Sequence, residues 1–250
     1  MSRTVRERWV DGPVALLVNE EWAARFPFLI QATTGGGTRG ADFGLFREAP
    51  VGDVMARWRA LRTHTRTTTT VHARQVHGAR VLQHTALPEG MLIAGQDADG
   101  HCTREPGILL TVSVADCVPV SIVSTQPQAV AMVHAGWRGV AAGALEAGID
   151  ALRACGAGPD SMWVHLGPAI CGQCYEVGPE VFDALRMDMP ADRMLDMRAV
   201  LSARATRAGV PAEHVSSSAW CTRCDDSMLF SHRAGSTGRQ LGVIGLRGAE

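Results

Sequence analysis

Residues 108–139 read ILLTVSVADCVPVSIVSTQPQAVAMVHAGWRG, and this stretch carries the strongest information about the fold. It contains three short β-rich runs, at residues 108–114, 118–123 and 129–133. Asp116-Cys117 separates the first two runs, and a Gln-Pro-Gln turn separates the last two. Runs of β-branched residues that end at turn formers predict three strands in quick succession.

The pattern on both sides of this stretch alternates between helix and strand. Residues 138–155 have helical spacing and end at Gly156, which predicts a helix. Further helices are predicted at residues 54–61, 179–187 and 196–208, the last with Asp196 as N-cap, and further strands at residues 28–32, 80–83, 162–166 and 241–246. Because these elements interleave without a regular βαβ rhythm, we expect an α+β (α/β-like) fold with mixed sheets. Residues 1–250 are expected to form a single domain, since no linker or repeat interrupts them.

Composition limits the classes of function. The chain has 250 residues, and 46% of them are hydrophobic, which suffices for a well-buried core. A formal net charge of -1 provides no basic field for nucleic acid or for an anionic membrane. No apolar run is long enough to span a bilayer and no signal peptide is recognisable, so we expect a cytoplasmic protein.

The basic residues and the cysteines narrow the chemistry further. All 24 basic residues are arginine, which excludes lysine Schiff-base chemistry and a P-loop lysine. An anionic substrate must therefore be held by arginine, backbone amides or a metal. The seven cysteines are an odd number, and in a cytoplasm they are expected to be reduced thiols.

Three residues that are far apart in the sequence form one set of metal ligands. Cys117 and His134 stand near the ends of predicted strands, and His77 offers a second imidazole in a similar setting. Two His and one Cys leave the fourth zinc position open, as in catalytic sites. We interpret them as ligands of Zn²⁺, with copper as the alternative metal. The competing interpretation is structural, because a lone Cys is usually a small buried hydrophobe and a lone His a hydrogen-bonded one.

Two residues next to these ligands are expected to act in catalysis. Arg138 falls in the first turn of the predicted helix, where free backbone N–H groups favour an anion, and it could grip phosphate. Asp116 is adjacent to Cys117 and is expected to orient a ligand or a water, or to serve in acid–base catalysis.

A second cysteine pattern competes with the first. Cys171, Cys174, Cys221 and Cys224 form two CxxC pairs, which suggest a four-cysteine structural zinc site. The gap between the pairs is wide for a zinc ribbon, and the flanking residues are not those of a tight knuckle. The sequence leaves open whether these four bind a second metal.

Taken together, several segments resemble the YfiH-like family, also called the laccase-domain or polyphenol-oxidase-like family. The matching pieces are residues 75–77, 99–103, 106–107, 115–120, 134–139, 166–170, 174–177, 221–222, 230–233 and 237–239. They follow the order of the family and cover most of the chain from near residue 28. The pair ADCVPV and HAGWRG is the most specific part of the resemblance.

The resemblance implies a fold, a metal and an activity. The fold is YfiH-like, similar to cytotoxic necrotizing factor, with layered mixed sheets and flanking helices, and the zinc ligands are His77, Cys117 and His134. The implied reactions are phosphorolysis of adenosine, inosine, guanosine and methylthioadenosine, and deamination of adenosine. The partners are then purine nucleosides and phosphate. We add Arg233 and Arg239 to Arg138 as residues expected to bind phosphate.

The chain departs from the family in segments expected to form the substrate pocket. The family's arginine in an early glycine-rich segment is absent from residues 33–37, where Arg39 is the nearest replacement. Its Asn-Arg is Ala56-Arg57 here, and its Tyr-Arg-Arg is His232-Arg233-Ala234. The metal ligands are unaffected, so the sequence supports metal binding better than substrate identity.

Four other functions compete with this interpretation. A copper polyphenol oxidase needs many His ligands in paired motifs, and this chain has nine His without a His-x-His. A metal-free cysteine hydrolase would use Cys117 as nucleophile and His134 as base. An amidase that edits cell-wall precursors and a non-catalytic nucleoside-binding protein complete the alternatives.

Overall fold

The computed structural model describes residues 3–35, 41–45, 50–224 and 228–248. The strands in these residues are β1 (Arg3–Val5), β2 (Arg8–Val10), β3 (Leu16–Val18), β4 (Leu29–Thr34), β5 (Thr69–His72), β6 (Val81–His84), β7 (Gly90–Ile93), β8 (Gly100–Thr103), β9 (Ile108–Val114), β10 (Val118–Thr125), β11 (Gln128–Ala135), β12 (Met162–Leu166), β13 (Val215–Ser218) and β14 (Gln240–Leu246). The helices are α1 (Glu20–Arg25), α2 (Val51–Thr65), α3 (Trp137–Ala141), α4 (Ala144–Ala154), α5 (Pro179–Leu185) and α6 (Met197–Arg207), with short 3-10 turns at Pro159–Ser161 and Ala212–His214. None of the described helices is both long and apolar enough to cross a membrane.

The strands form two seven-stranded sheets, and both are mixed. The first has the order β1-β13-β12-β10-β11-β8-β6 and the second the order β2-β3-β4-β14-β9-β5-β7. In the first sheet β10 is antiparallel to β11 and β12, whereas β12 and β13 are parallel. In the second sheet β14 is antiparallel to β4 and β9, whereas β5 is parallel to β7 and β9. The expected mixed sheets are confirmed.

The two sheets pack face to face through their central strands. Along β11, Val130 and Met132 belong to the apolar cluster that contains Val112 of the second sheet. Their neighbour Val133 belongs to the cluster on the opposite face, together with residues of α4. Alternate side chains of a strand point to opposite faces, so β11 is apolar on both. This explains why residues 129–133 of β11 are continuously hydrophobic.

Helices cover the outer faces of both sheets. Helix α4 packs on β11, and Gly148 permits the close approach because a Cβ there would lie 2.7 Å from Cγ2 of Val133. Helix α2 covers the second sheet, where Trp58 and Leu61 are buried in one cluster with Leu109 of β9. The expected arrangement of layered sheets with flanking helices is confirmed.

Most of the predicted elements are present. The strands predicted around residues 108–133 are β9, β10 and β11, and the strand predicted at residues 162–166 is β12. The N-cap prediction for Asp196 is confirmed, since its Oδ1 accepts hydrogen bonds from the amides of Arg198 at 3.0 Å and Ala199 at 3.2 Å.

The single helix predicted at residues 138–155 is wrong. The chain instead forms α3 and α4, and Gly143 between them has a φ of 89°. A left-handed residue cannot continue a right-handed helix, and glycine adopts this conformation without steric cost. The helix that contains Arg138 is therefore only five residues long.

Three connections between the sheets meet at one end of the molecule. Because β5, β7 and β9 run parallel in the second sheet, their carboxyl ends lie at the same edge. From there the chain crosses to the first sheet through residues 73–80, 94–99 and 115–117. Residues 219–224 and 228–239 lie in the connection from β13 of the first sheet to β14 of the second. These connections carry His77, Asp99, Asp116 and Cys117, whereas His134 lies near the end of β11.

Candidate active site

Cys117 lies in the shortest of the three connections. Residues 115–117 join β9 to β10, and Asp116 turns the chain sharply with a φ of 86°. The backbone carbonyl of Asp116 accepts a hydrogen bond from the amide of Ile170 at 3.1 Å, which fixes the turn. The Cys117 thiol is thus held between two rigid strands of different sheets and is only partly buried.

His134 lies on β11 directly across from the start of β10, in register with Pro119. Its ring is buried, and Nδ1 is 2.8 Å from Oδ1 of Asp99. The backbone amide of His134 also donates to the carbonyl of Asp99, at 2.7 Å. Because Asp99 occupies Nδ1, Nε2 is the nitrogen left to bind a ligand.

Asp99 also fixes His77. Its carboxylate accepts hydrogen bonds from the backbone amides of Val76 at 3.1 Å, His77 at 2.9 Å and Gly78 at 2.7 Å. His77 has a φ of 59°, a conformation that these bonds hold in place. One carboxylate therefore orients both imidazoles. Sequence reasoning missed Asp99, and the only available signal was its position in the segment 99–103 that resembles the family.

The structure brings His77, Cys117 and His134 together. One ligand atom from each lies within 4.8 Å of the other two, and the imidazole rings have centroids 4.8 Å apart at 77°. Gly136 backs the cluster, because a Cβ there would lie 2.9 Å from Cδ2 of His77 and 3.0 Å from Sγ of Cys117. Two imidazoles and a thiolate at these separations fit a metal ion such as zinc.

The electrostatics of the cluster favour the deprotonated thiol. Burial raises the pKa of Cys117, but the charges and hydrogen bonds of His134 and His77 outweigh it and lower this pKa to about 6. Burial lowers the pKa of His134, whereas the Cys117 thiolate and Asp99 together raise it to about 9. Burial also raises the pKa of Asp99, but hydrogen bonds from His134 and the backbone lower it overall. A thiolate is the form of cysteine that binds metal.

Both oxygens of the Asp116 carboxylate are occupied. Oδ1 accepts a hydrogen bond from the Thr222 hydroxyl at 2.5 Å, and Oδ2 accepts one from the backbone amide of Arg233 at 2.7 Å. The side chain is buried. These contacts tie the turn at Cys117 to Thr222 and Arg233, which follow β13 in the sequence, so they fit a positioning role.

Tyr175, which sequence reasoning left without a role, lies close enough to Cys117, Arg138 and Arg233 to feel the charge of each. The pKa of Tyr175 is raised to about 12, first by burial and then by the charge of Cys117, while Arg233 and Arg138 act to lower it. Cζ of Arg233 is 5.0 Å from the Tyr175 ring centroid. Arg138 is exposed and stacks over Trp137 at 4.1 Å.

A cavity of about 620 Å³ opens beside the three ligands and contains the third predicted arginine, Arg239. Its lining residues are Gly44, Leu45, His72, Ala73, Arg74, Gln75, His77, Ser113, Val114, Ala115, Cys117, His134, His232 and Arg239. The backbone amide of Arg239 donates to Oδ1 of Asp42 at 2.9 Å. Arg39 lies outside the described residues. Cavities of this size suit small-molecule ligands.

Several of the remaining histidines are structural, whereas His72 and His232 line the cavity. His165 is fully buried and binds Glu7 through Nε2 at 3.0 Å, and Nε2 of His84 lies 2.9 Å from Nδ1 of His101. His72 is buried where it borders the cavity. Burial lowers its pKa to about 4, so it is neutral at physiological pH.

Comparison with known proteins shows the family of this chain. Residues 39–247 match the family model described as multi-copper polyphenol oxidoreductase laccase. The chain belongs to this family. A purine nucleoside phosphorylase, YlmD of Geobacillus stearothermophilus, is 35% identical over 193 residues, covering 69% of this chain and 70% of that protein. Adenosine deaminase RL5, from an unknown prokaryotic organism, is 34% identical over 180 residues, covering 65% of this chain and 69% of that protein.

The fold is shared with a solved structure of the same family. The crystal structure of YlmD from Geobacillus stearothermophilus matches with a TM-score of 0.85 at 28% identity, covering 97% of this chain and 100% of that chain. The YfiH-like resemblance and the fold implied by it are confirmed.

The description of the family model refers to several copper ions. The described residues offer a single candidate metal site that contains histidine. Two groups of at least three His, Cys or acidic side chains are close enough to share a metal there. One is the His77, Cys117 and His134 cluster, and the other consists of four cysteines. Neither is a set of paired histidines.

Proposed function

We propose that this chain is a zinc-dependent purine nucleoside phosphorylase that cleaves adenosine, inosine, guanosine and methylthioadenosine with phosphate, and that it also deaminates adenosine. The observation that carries the proposal is the opening of the His77, Cys117 and His134 cluster into a cavity of about 620 Å³. Relatives that are named purine nucleoside phosphorylase and adenosine deaminase support the choice of substrate. We propose one catalytic unit over residues 1–250, acting in the cytoplasm, where its ligand thiols stay reduced.

His77, Cys117 and His134 would hold the zinc ion, and the donor set fits zinc because it combines neutral imidazole with thiolate. When bound, zinc supplies Lewis-acid polarisation and can activate a water. Asp99 contributes by keeping the proton of His134 on Nδ1 and by fixing the turn at His77. Copper is the alternative occupant of the same ligands.

The chain's own arginines would hold phosphate. Arg239 lines the cavity, and the charges of Arg138 and Arg233 both act on Tyr175, which also feels the charge of Cys117. A planar guanidinium binds two phosphate oxygens at once, which fixes the orientation of the nucleophile. Cleavage of the glycosidic bond also needs charge stabilisation at the sugar, which preorganised groups around a bound phosphate provide.

Asp116 would act in catalysis by positioning. Its carboxylate binds Thr222 and the backbone of Arg233, so it couples the Cys117 turn to a phosphate-binding arginine. Because Asp116 is adjacent to Cys117, we also propose that it could act as a general acid or base. The kinetics of Asp116→Asn distinguish this role from positioning. Loss of positioning raises KM for phosphate, whereas loss of an acid–base group lowers kcat and changes its pH profile.

The test combines metal content with adenosine turnover, with and without phosphate. Wild type is expected to contain zinc and to release adenine only with phosphate, and Cys117→Ala is expected to lose both the zinc of this site and the activity. Cys155→Ala is the matched control, because Cys155 is buried outside this cluster. Ammonia and inosine formed without phosphate would show the deaminase reaction. No turnover in either condition, from zinc-loaded wild type, would contradict the proposal.

A second experiment tests the phosphate site. Arg138→Gln, Arg233→Gln and Arg239→Gln, made one at a time, are expected to raise KM for phosphate more than KM for adenosine. Arg207→Gln, on the exposed face of α6, is the control. If all three variants have the phosphate KM of the control, phosphate binds elsewhere.

One alternative has specific structural support. Cys117 contacts His134, and His134 contacts Asp99. This is the arrangement of a nucleophile, a general base and the carboxylate that orients the base. A metal-free cysteine hydrolase would use these three residues. Alkylation of Cys117 that abolishes hydrolysis by verified zinc-free protein would favour it, whereas activity that depends on added zinc would exclude it.

A further inference from the structure

A second cluster of sulfur atoms lies outside the catalytic site. Its four Sγ atoms all lie within 4.8 Å of one another and belong to Cys171, Cys174, Cys221 and Cys224. Those of Cys171 and Cys224 are 3.9 Å apart. Four sulfurs bound to zinc at about 2.3 Å form a tetrahedron with edges of about 3.8 Å. The observed separations are therefore close to those of a zinc site.

The backbone around the cluster is arranged for a thiolate. Three amides point at Sγ of Cys221: those of Cys171 at 3.3 Å, Arg223 at 3.4 Å and Cys224 at 3.5 Å. The amide of Cys174 closes its own turn by donating to the carbonyl of Cys171 at 3.0 Å. Amide donors to sulfur stabilise its negative charge, as the ligand of a metal requires.

The two CxxC segments are held together by contacts that do not involve sulfur. Ala169 and Cys221 form a parallel β-bridge, and the amide of Thr222 donates to the carbonyl of Ala169 at 3.2 Å. Arg223 donates through Nη1 to the carbonyl of Cys174 at 2.9 Å. The long sequence gap between the pairs is thus bridged by the fold, which answers the objection that the spacing raised.

We propose that Cys171, Cys174, Cys221 and Cys224 bind a second zinc ion, structural rather than catalytic. Four thiolates close the coordination shell and leave no position for substrate or water. This site goes beyond the proposed function, because it requires neither a nucleoside nor the metal at Cys117.

The groups of the protein alone favour a thiolate at Cys221 and disfavour one at Cys174 and Cys224. Burial raises the pKa of Cys221, but the three amide hydrogen bonds outweigh it and lower this pKa to about 7. The same thiol then raises the pKa of Cys224 well above its usual value, and burial with Cys171 raises that of Cys174. A divalent cation offsets the repulsion between thiolates and releases the remaining protons.

The zinc ion would fasten two segments that reach the catalytic site. Thr222 follows Cys221 and binds the Asp116 carboxylate, while Tyr175 follows Cys174 and contacts Arg233. The second metal would therefore act as a positioning element for the loop at Cys117. Its loss is expected to lower activity indirectly and to reduce thermal stability.

The test uses zinc content and a spectroscopic signature, both independent of turnover. Wild type is expected to contain two zinc ions per chain, and Cys224→Ser and Cys171→Ser one each. Cys155→Ser is the matched control and retains two. Cys117→Ala is expected to keep one zinc, and this variant isolates the second site. Cobalt loaded into it should give the strong sulfur-to-metal charge-transfer absorption of a tetrathiolate, absent from Cys117→Ala/Cys224→Ser.

The outcomes separate this proposal from the proposed function. A Cys117→Ala protein without zinc or cobalt absorption overturns the second site, whatever the activity of wild type. A mass loss that shows a disulfide between Cys171 and Cys224 in protein purified under reducing conditions overturns it as well. If Cys224→Ser does not fold, the metal content and spectrum of Cys117→Ala decide the question alone.

Discussion

Replacing Asp99 by asparagine is expected to weaken metal binding without removing a ligand. The Asp99 carboxylate accepts four hydrogen bonds, two at each oxygen. Oδ1 binds the imidazole of His134 and the amide of His77, and Oδ2 binds the amides of Val76 and Gly78. An asparagine side chain has one oxygen and one NH₂ group. In either orientation its NH₂ group, itself a hydrogen-bond donor, would face two other donors, and those two hydrogen bonds would be lost.

The expected size follows from the bonds that are lost. A hydrogen bond to a charged group contributes about 1.5–3 kcal/mol, so two lost bonds set an upper bound of about 3–6 kcal/mol on the destabilisation. Partners behind metal-bound histidines typically change metal affinity by about 10–100-fold, or about 1.4–2.7 kcal/mol. We expect the Asp99→Asn zinc affinity to fall in that range.

The assay is competition for zinc with a chromophoric chelator, with unfolding by denaturant as the measure of stability. Asp97→Asn is the matched control, because Asp97 lies in the same connection but faces Arg74 at the surface, at 3.8 Å. A folded Asp99→Asn protein whose zinc affinity stays within about twofold of the control, well below the range expected for such partners, would refute the reasoning.

The stability difference should also depend on pH. The pKa of Asp99 is lowered in the folded protein, so its carboxylate stabilises the fold above the ordinary Asp pKa of about 3.9. This contribution is lost as the pH falls through the lower folded pKa. The difference in unfolding free energy between wild type and Asp99→Asn should therefore shrink below about pH 4.

Three further predictions concern the cluster and the core. Gly136→Ala places a Cβ 2.9 Å from Cδ2 of His77 and 3.0 Å from Sγ of Cys117, so the zinc affinity of this variant should fall at least about tenfold. Gly95→Ala is the control and should have the zinc affinity of wild type, because a Cβ at Gly95 would have nothing within 4 Å. In zinc-free protein, the rate of Cys117 alkylation, followed by peptide mass, should be half-maximal near its pKa of about 6; a midpoint near 8.5 would contradict the proposed thiolate. Trp58→Ala should lower the unfolding free energy by about 3–5 kcal/mol because Trp58 is 1% exposed, and a loss below about 1 kcal/mol would contradict its place in the core.

Elements with a strong local pattern could be predicted from the sequence. The runs that became β9, β10 and β12 are mostly apolar or β-branched. The N-cap at Asp196 depends only on residues two and three positions away. Strand β13 was missed, since its sequence is Val-Ser-Ser-Ser. It is nevertheless buried, because Ser216 and Ser218 bind partners such as His165 and Glu7. Buried polar strands of this kind are stable only when distant groups satisfy them.

The sequence by itself determined which reactive groups this protein has. It showed two imidazoles and a thiol as metal ligands, at His77, His134 and Cys117. It also showed two CxxC pairs, and arginine in place of every lysine. Only the tertiary structure decided how these parts meet. Asp99 reaches His77 because β5 and β7 end at one edge of a sheet and their connections cross together to the other sheet. It reaches His134 because β8, which follows Asp99, pairs with β11. Likewise, the pair at Cys171 meets the pair at Cys221 through a β-bridge at Ala169. Strand order depends on burying both faces of two sheets at once, and no local pattern encodes that requirement.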